Sequence, residues 1–158
     1  MMNRELVNFF LDHLSIERRL SSHTITSYST DLEQFTAFIA PQELTQIQAL
    51  TIRKWLISLS DDSIQNRSIN RKLATLRTFF KYLLRTGKIT ENPMASIRMV
   101  KTTKKIPHFV RESEMENLVE NRIIATNFSE ARDELILFLL YGTGIRLAEL
   151  ISLQNSQV

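Results

Sequence analysis

Apolar residues recur at intervals of three and four along most of the chain, which is the spacing of amphipathic helices. For the first three predicted helices the apolar positions are Leu6, Phe9, Phe10 and Leu14; Ile25, Tyr28, Leu32, Phe35 and Ile39; and Ile52, Trp55, Leu56 and Leu59. Ser22 is predicted to cap the second helix, Pro41 to end it and Thr51 to precede the third. No strand-like alternation competes, so the sequence predicts an all-α fold.

The fourth predicted helix is the longest, from about residue 63 to residue 86, with Gly87 as its stop. One side carries Ile69, Leu73, Leu76, Phe80 and Leu83, and the opposite side carries Arg67, Arg71, Thr78, Lys81 and Arg85. An α-helix fits the major groove of DNA, where this stripe could neutralise phosphates while Arg71 or the flanking Asn70 reaches base edges. A solubilising face is the alternative, but such faces usually mix both signs of charge.

The rest of the chain predicts a division into two domains. Residues 98–107 are basic, poor in large apolar groups and closed by a proline, which predicts a linker. Beyond it we expect a helix over residues 112–122, and another from about residue 129 through the apolar run 135–140 to a glycine break. The expected boundaries are therefore 1–97, 98–107 and 108–158.

The charge of the chain is unevenly distributed. Residues 1–107 carry 16 Lys/Arg against 9 Asp/Glu, whereas residues 108–158 carry 4 against 8. Between residues 66 and 105 there are 11 basic residues and one acid, Glu91. This is the electrostatic footprint of a nucleic-acid-binding face, with double-stranded DNA as the expected partner. A solvated basic surface remains the alternative.

Further residues complete the candidate DNA-contacting set. Thr26 and Ser27 lie on the outer face of the second helix, where ordinary surface polarity explains them about as well. The others are Asn66 and Arg77 on the fourth helix, and Lys101, Lys104 and Lys105 in the linker. The linker lysines could track a DNA backbone, although flexible basic linkers are common without that role.

Several classes of chemistry find no support in the composition. The chain has no cysteine, which rules out disulfides and thiolate metal sites. His13, His23 and His108 lack metal-ligand spacing, and no carboxylate pair suggests acid–base catalysis, so we expect neither a metal nor a cofactor. No apolar stretch approaches the length of a membrane span, and the N-terminus lacks a signal-peptide pattern. The sequence predicts a cytoplasmic protein without a membrane partner.

The segment YGTGIRLAEL, residues 141–150, breaks an apolar helix and then opens a new one at Arg146. Free backbone N–H groups and the positive end of the helix dipole meet there, so an arginine beside them predicts a site for a phosphate or a developing oxyanion. Glu149 lies one turn further on and can hold the arginine side chain. A purely structural ion pair between the two is the alternative, and Tyr141 is interpreted as a packing residue.

Several segments in order resemble the tyrosine site-specific recombinases of the phage-integrase family, nearest the Xer-type chromosome recombinases. They are residues 20–24 (LSSHT) with Tyr28, Asp31 and Leu32, residues 70–80 (NRKLATLRTFF), residues 91–93 (ENP), Arg132 with Asp133, and residues 141–150. The resemblance implies a helical, SAM-like core-binding domain, a linker and the first helices of a truncated catalytic domain. In that family such domains clamp DNA.

The resemblance also implies a mechanism. Strands are cut and rejoined through a 3′-phosphotyrosyl intermediate without a metal or nucleotide cofactor, and self-association on DNA as a recombinase tetramer is implied. Arg146 matches the first catalytic arginine, and Glu149 matches a supporting acidic residue. The later catalytic groups and the nucleophilic tyrosine find no counterpart, so this chain alone is expected to be an inactive fragment. A DNA-binding module without cleavage activity and a helical protein-interaction domain remain the alternatives.

Overall fold

Helices make up the regular secondary structure that the computed structural model assigns to the described residues, which are 2–102, 111, 113–115 and 126–154. No strand occurs within these ranges. The chain divides into two compact units, Met1–Lys105 and Ile106–Val158. The prediction of an all-α fold is confirmed. The helix expected over residues 112–122 lies mostly outside the described residues, as does His108.

The first unit contains the four long helices that the periodicity predicts. Their bounds are α1 Asn3–Asp12, which continues as a π-helical turn at His13–Glu17, α2 Ser22–Ile39, α3 Ala49–Asp61 and α4 Asn66–Arg85. A short 3-10 turn, Leu44–Gln46, precedes α3. In the second unit, α5 spans Phe128–Thr143 and α6 spans Leu147–Ile151. No helix in the described part of the chain combines the length and apolar character needed to cross a bilayer.

Three predicted helix starts are corrected by the structure. Thr51 does not precede α3 but lies inside it, because α3 begins at Ala49 with Gln48 as its cap. The cap of α2 is Ser21 and not Ser22, because Ser21 is extended and its Oγ accepts a 3.4 Å hydrogen bond from the Thr24 amide. Residue 63 does not begin α4. Ser63 terminates α3 in a left-handed conformation with φ of +58°, and the next amide, that of Ile64, donates to the Leu59 carbonyl at 3.1 Å.

The end of α4 follows the prediction. Gly87 adopts a φ of +67°, and the Lys88 amide donates to the Leu83 carbonyl at 2.9 Å. This pattern closes the last turn of a helix and favours glycine, which has no Cβ to strain the left-handed conformation.

The core of the first unit is built around α4. Its buried residues are Ile69, Lys72, Leu73, Thr75, Leu76, Phe79, Phe80 and Leu83. Aromatic rings join α4 to the helices around it: the centroids of Phe10 and Phe79 lie 5.2 Å apart, and those of Phe35 and Phe80 lie 6.3 Å apart. Such edge-to-face pairs add about 0.5–1.5 kcal/mol each to the burial of the rings. The core therefore fixes which side of α4 remains available to solvent.

Candidate nucleic-acid interface

The outward side of α4 carries the predicted basic stripe. Arg67, Arg71, Lys81 and Arg85 are exposed, and α4 contains no Asp or Glu along its 20 residues. Thr78 is half-buried, and its hydroxyl donates to the Ala74 carbonyl at 2.9 Å. The four cations face solvent because the opposite side of the helix is held in the core, and no acidic residue of α4 lies among them.

Arg71 is anchored to a buried carboxylate that is not among the predicted site residues. Asp31, on α2, is 0% exposed, and its Oδ2 accepts a hydrogen bond from Arg71 Nη1. The same oxygen accepts from the Thr75 hydroxyl at 2.9 Å. The Arg71 side chain is still 48% exposed. Arg71 therefore lies on the solvent side of α4, as predicted, with its orientation set by Asp31.

Lys72 completes this cluster from inside the protein. Only 5% of the residue is exposed, and its Nζ lies 3.0 Å from Asp31 Oδ1. It also donates to the Gln34 side-chain oxygen. Among the described residues, no buried side-chain nitrogen or oxygen lacks a partner. The cluster of Asp31, Arg71, Lys72 and Thr75 is thus a satisfied polar network within an apolar core, and we call it the Asp31 cluster.

Three predicted DNA-contacting residues bind the chain's own backbone. Asn70 makes two hydrogen bonds with the Val100 backbone, both 2.8 Å long. Asn70 Nδ2 donates to the Val100 carbonyl, and the Val100 backbone amide donates to Asn70 Oδ1. Asn66 Nδ2 donates to the Lys101 carbonyl at 3.0 Å, and Arg77 Nη2 donates to the Ile97 carbonyl at 3.0 Å. These side chains attach residues 97–101, which we call the docked segment, to α4.

The docked segment contains the beginning of the predicted basic linker. Lys101 is exposed at its end, while Lys104 and Lys105 lie outside the described residues. Because the backbone of residues 97–101 is bound to α4, Lys101 belongs to the same unit as the stripe. Asn66, Asn70 and Arg77 consequently act first as structural groups, a role that the helical pattern does not predict.

The hydroxyls on α2 are engaged within their own helix. Thr26 Oγ1 donates to the Ser22 carbonyl at 3.0 Å, and Ser27 Oγ donates to the His23 carbonyl at 2.9 Å. A hydroxyl has one proton to donate, and a phosphate oxygen only accepts. A phosphate contact by either residue therefore requires the hydroxyl to turn away from its carbonyl.

A groove at the C-terminal end of α4 extends the cationic surface. It has a volume of about 780 Å³ and is lined by Arg18, Arg77, Lys81 and Arg85 together with apolar residues such as Leu14. Arg85 Nη2 lies 2.8 Å from His13 Nε2, and His13 Nδ1 lies 2.8 Å from a Glu17 carboxylate oxygen. A guanidinium only donates, so Nε2 accepts and Nδ1 carries the proton directed to Glu17. Neither His13 nor Arg18 is among the residues that the sequence predicts for this surface.

In the second unit, Arg146 and Glu149 meet at the start of α6. Glu149 Oε2 accepts from the Arg146 amide, and Oε1 accepts from Arg146 Nη1, both at 2.9 Å. The backbone hydrogen bond, with a smaller contribution from the guanidinium, holds the pKa of Glu149 below its ordinary value. The Arg146 side chain is 82% exposed. Gly144, with φ of +65°, ends α5 two residues earlier and allows the new helix to begin there.

The fold and this surface define the class of protein. Residues 7–87 match the family described as "Phage integrase, N-terminal SAM-like domain". The match spans more than half of the chain and contains α2, α3 and α4. The chain belongs to the phage-integrase family of tyrosine recombinases.

Curated relatives agree with this assignment. The chain is 36% identical to tyrosine recombinase XerC of Oceanobacillus iheyensis over 155 residues, which cover 96% of the chain and 50% of the relative. It is 37% identical to XerC of Alcanivorax borkumensis, covering 98% and 50%, and 33% identical to tyrosine recombinase XerD of Rickettsia bellii, covering 98% and 51%. The chain thus spans about half the length of these relatives. No solved structure matches it.

Proposed function

We propose that the first unit binds double-stranded DNA through the solvent side of α4. The observation that carries this proposal is the row of four exposed cations, Arg67, Arg71, Lys81 and Arg85, on a helix without an acid. From Arg67 to Arg85 the row covers 19 residues, and its ends lie about 27 Å apart along the helix axis. A helix of this length can lie in or across the major groove with its cations near phosphates of both strands.

The parent activity that this proposal supports is site-specific DNA recombination. Relatives of about twice this length are tyrosine recombinases, and the chain aligns with them over nearly its whole length. Strand cleavage would proceed through a phosphotyrosyl intermediate, with self-association of the recombinase on its DNA site. We expect the further catalytic groups of such a recombinase to lie in a longer protein, and this chain by itself should bind DNA without cleaving it.

Arg146 is the residue of this chain that we assign to the chemistry. Its guanidinium is largely exposed, while Glu149 accepts only one of its N–H groups within the described residues. The remaining donors can meet the non-bridging oxygens of a scissile phosphate, whose charge increases in the pentacoordinate transition state. Glu149 orients the side chain and is itself held by the backbone of α6.

The DNA-binding proposal is tested by a salt titration with matched single-charge variants. The probe is a fluorescein-labelled duplex of about 30 bp with mixed sequence, long enough to cover the row of cations. Lys81→Ala should weaken binding and lower the slope of log K against log salt by about 1. Lys54→Ala removes an exposed cation from α3 and serves as the control, with little change expected.

The assignment fails if both variants change affinity and slope equally, because the binding would then depend only on net charge. A covalent adduct trapped on a nicked suicide substrate by this chain alone would contradict the proposal that it binds without cleaving. The alternative is a binding module without a recombination role. Under that alternative, the longer protein should also fail to cleave the nicked suicide substrate.

A further inference from the structure

We propose that the buried pair Asp31–Lys72 positions Arg71 for DNA, so that two residues with no access to the nucleic acid determine how tightly it binds. This inference rests on the proposed DNA binding by α4. It assigns a role to a buried ionic cluster that the fold alone does not require. Asp31 and Lys72 are positioning residues in this proposal, and Arg71 is the residue that contacts DNA.

The geometry connects Arg71 to the buried pair. Asp31 is 0% exposed and receives Arg71 Nη1 on Oδ2 and Lys72 Nζ on Oδ1, the latter at 3.0 Å. The Thr75 hydroxyl donates to the same Oδ2 at 2.9 Å, which fixes the carboxylate from a third direction. The carboxylate therefore cannot rotate freely, and the guanidinium bound to it is held in one orientation.

The cluster has a net positive charge, and the exposed part of that charge lies on Arg71. One carboxylate faces two cations, and Lys72 is the buried partner with only 5% of its surface exposed. Because Lys72 is buried, it cannot exchange Asp31 for water or a phosphate. Lys72 therefore remains paired with Asp31 and neutralises its negative charge. Arg71, which is half-exposed, keeps a net positive charge although one of its N–H groups is bound to Asp31.

This arrangement lowers the cost of binding. A free arginine at the surface loses much of its rotamer freedom when it grips a phosphate or a base edge. Arg71 has already lost that freedom in the folded protein, and its other donors point to a fixed place on the solvent side of α4. The guanidinium fork has five donors in a rigid plane, so fixing one leaves the direction of the rest defined.

The same cluster stabilises the core less than apolar residues of similar volume would, because burying its charges costs desolvation free energy. Replacing a buried ion pair by apolar residues of similar volume is often neutral or stabilising, because the desolvation cost of the charges disappears. A core that needed only packing would be better served by leucine and methionine at positions 31 and 72. A positioning role explains why both positions are charged. Asp31 binds Arg71, which is the exposed member of the cluster, and Lys72 keeps Asp31 neutralised.

The test is a pair of substitutions that removes both buried charges together. The variant carrying Asp31→Leu and Lys72→Met leaves the net charge and every exposed cation unchanged. It is compared with the wild-type chain on the fluorescein-labelled mixed-sequence duplex, and both are also measured in an Arg71→Gln background. Circular dichroism and thermal unfolding show whether each variant is folded.

We expect the double substitution to weaken DNA binding by about 3- to 10-fold, the cost of ordering one long side chain on binding. The salt slope should stay within experimental error, because Arg71 keeps its charge. In the Arg71→Gln background the same double substitution should have no effect on affinity. A purely structural cluster would not produce this dependence on Arg71.

Two outcomes would overturn the proposal. The first is wild-type DNA affinity in a folded double variant, which would show that Arg71 needs no positioning. The second is an equal loss of affinity with and without Arg71, which would show that the cluster acts through the fold in general. If the double variant does not fold, Thr75→Val is measured instead, because it removes only the hydroxyl that fixes Asp31 Oδ2 and leaves every charge in place. It should weaken binding only when Arg71 is present, and an equal effect in the Arg71→Gln background would overturn the proposal.

A failure of the underlying DNA-binding proposal is recognisable separately. In that case Lys81→Ala, which lies outside the Asp31 cluster, would bind the duplex no differently from the Lys54→Ala control. If Lys81→Ala weakens binding selectively and the double variant does not, only the positioning role of the cluster is wrong.

Discussion

Replacing Asn70 by alanine should release the docked segment from α4. Asn70 makes two 2.8 Å hydrogen bonds with the Val100 backbone, and the substitution removes both while leaving the Val100 amide and carbonyl without these partners. Each such bond contributes about 0.5–1.5 kcal/mol net, so the docking should weaken by about 2 kcal/mol. That corresponds to an increase of about 30-fold in the open population of the segment.

Amide hydrogen exchange at Val100 measures the loss of this attachment, because the substitution removes both the acceptor of that amide and the docking that shields it. The Val100 rate should therefore rise by at least about 30-fold relative to Leu76, a fully buried residue of α4 that reports global unfolding. Asn66→Ala is the matched control, because it removes one exposed bond to the Lys101 carbonyl. It should raise the Val100 rate by less than about fivefold. An unchanged Val100 rate in Asn70→Ala would show that Asn70 does not hold the docked segment on α4.

DNA binding by the same variant shows whether Asn70 only holds the docked segment on α4 or also contacts a base edge. If Asn70 stays on Val100 in the complex, Asn70→Ala should weaken binding to a pool of randomised duplexes without changing which sequences are enriched. A change in preference at a single base position would show instead that Asn70 leaves Val100 to contact a base edge, since a good bidentate pair discriminates by about 1–3 kcal/mol.

Three further predictions concern single positions. Ser63 holds a left-handed φ of +58°, so Ser63→Gly should raise the free energy of unfolding by about 1 kcal/mol in urea titrations, and a loss of stability would contradict the assignment. The lowered pKa of Glu149 means that its stabilisation of α6 is present above the ordinary pKa of a glutamate and disappears as the pH falls through the lowered value. In an NMR titration, Arg146→Ala should raise that pKa only part of the way, because the backbone hydrogen bond remains; a full return to the ordinary value would show that the guanidinium dominates. In the longer recombinase that we propose, Arg146→Ala should abolish strand cleavage with little loss of DNA affinity or thermal stability, and unfolding with retained activity would assign Arg146 a structural role.

The positions of the helices could be predicted because an amphipathic helix repeats every 3.6 residues whatever its partners are. The apolar side of α4 was correct at Ile69, Leu73, Leu76, Phe80 and Leu83, all of which are buried. Phe79 is also fully buried, since α4 packs against neighbours on more than one side and therefore buries a wider face than a two-sided wheel indicates. Helix ends were less predictable because adjacent serines such as Ser21 and Ser22 offer the same capping group.

The candidate interface could be predicted only in part, because a side chain that suits DNA also suits a backbone. Asn70 and Arg77 lie at the edges between the apolar side of α4 and the basic stripe, and their partners are Val100 and Ile97, 30 and 20 residues away in the chain. An amide or guanidinium binds a peptide carbonyl with the same donors that it offers to a base or phosphate. Local sequence contains no information about which of these the fold brings close.

The Asp31 cluster did leave a signal in the sequence. Asp31 is three residues after Tyr28 and four before Phe35, so it occupies an apolar position of α2, and Lys72 stands in the same relation to Ile69 and Leu76 on α4. Charged residues are almost never fully buried unless they are paired. Opposite charges at apolar positions of two helices therefore predict that the helices meet there, and the structure places Lys72 Nζ 3.0 Å from Asp31 Oδ1. The exposed arginine beside Lys72 is then the cation left over, which is the basis of our proposal that a cluster hidden from solvent orients a residue for DNA.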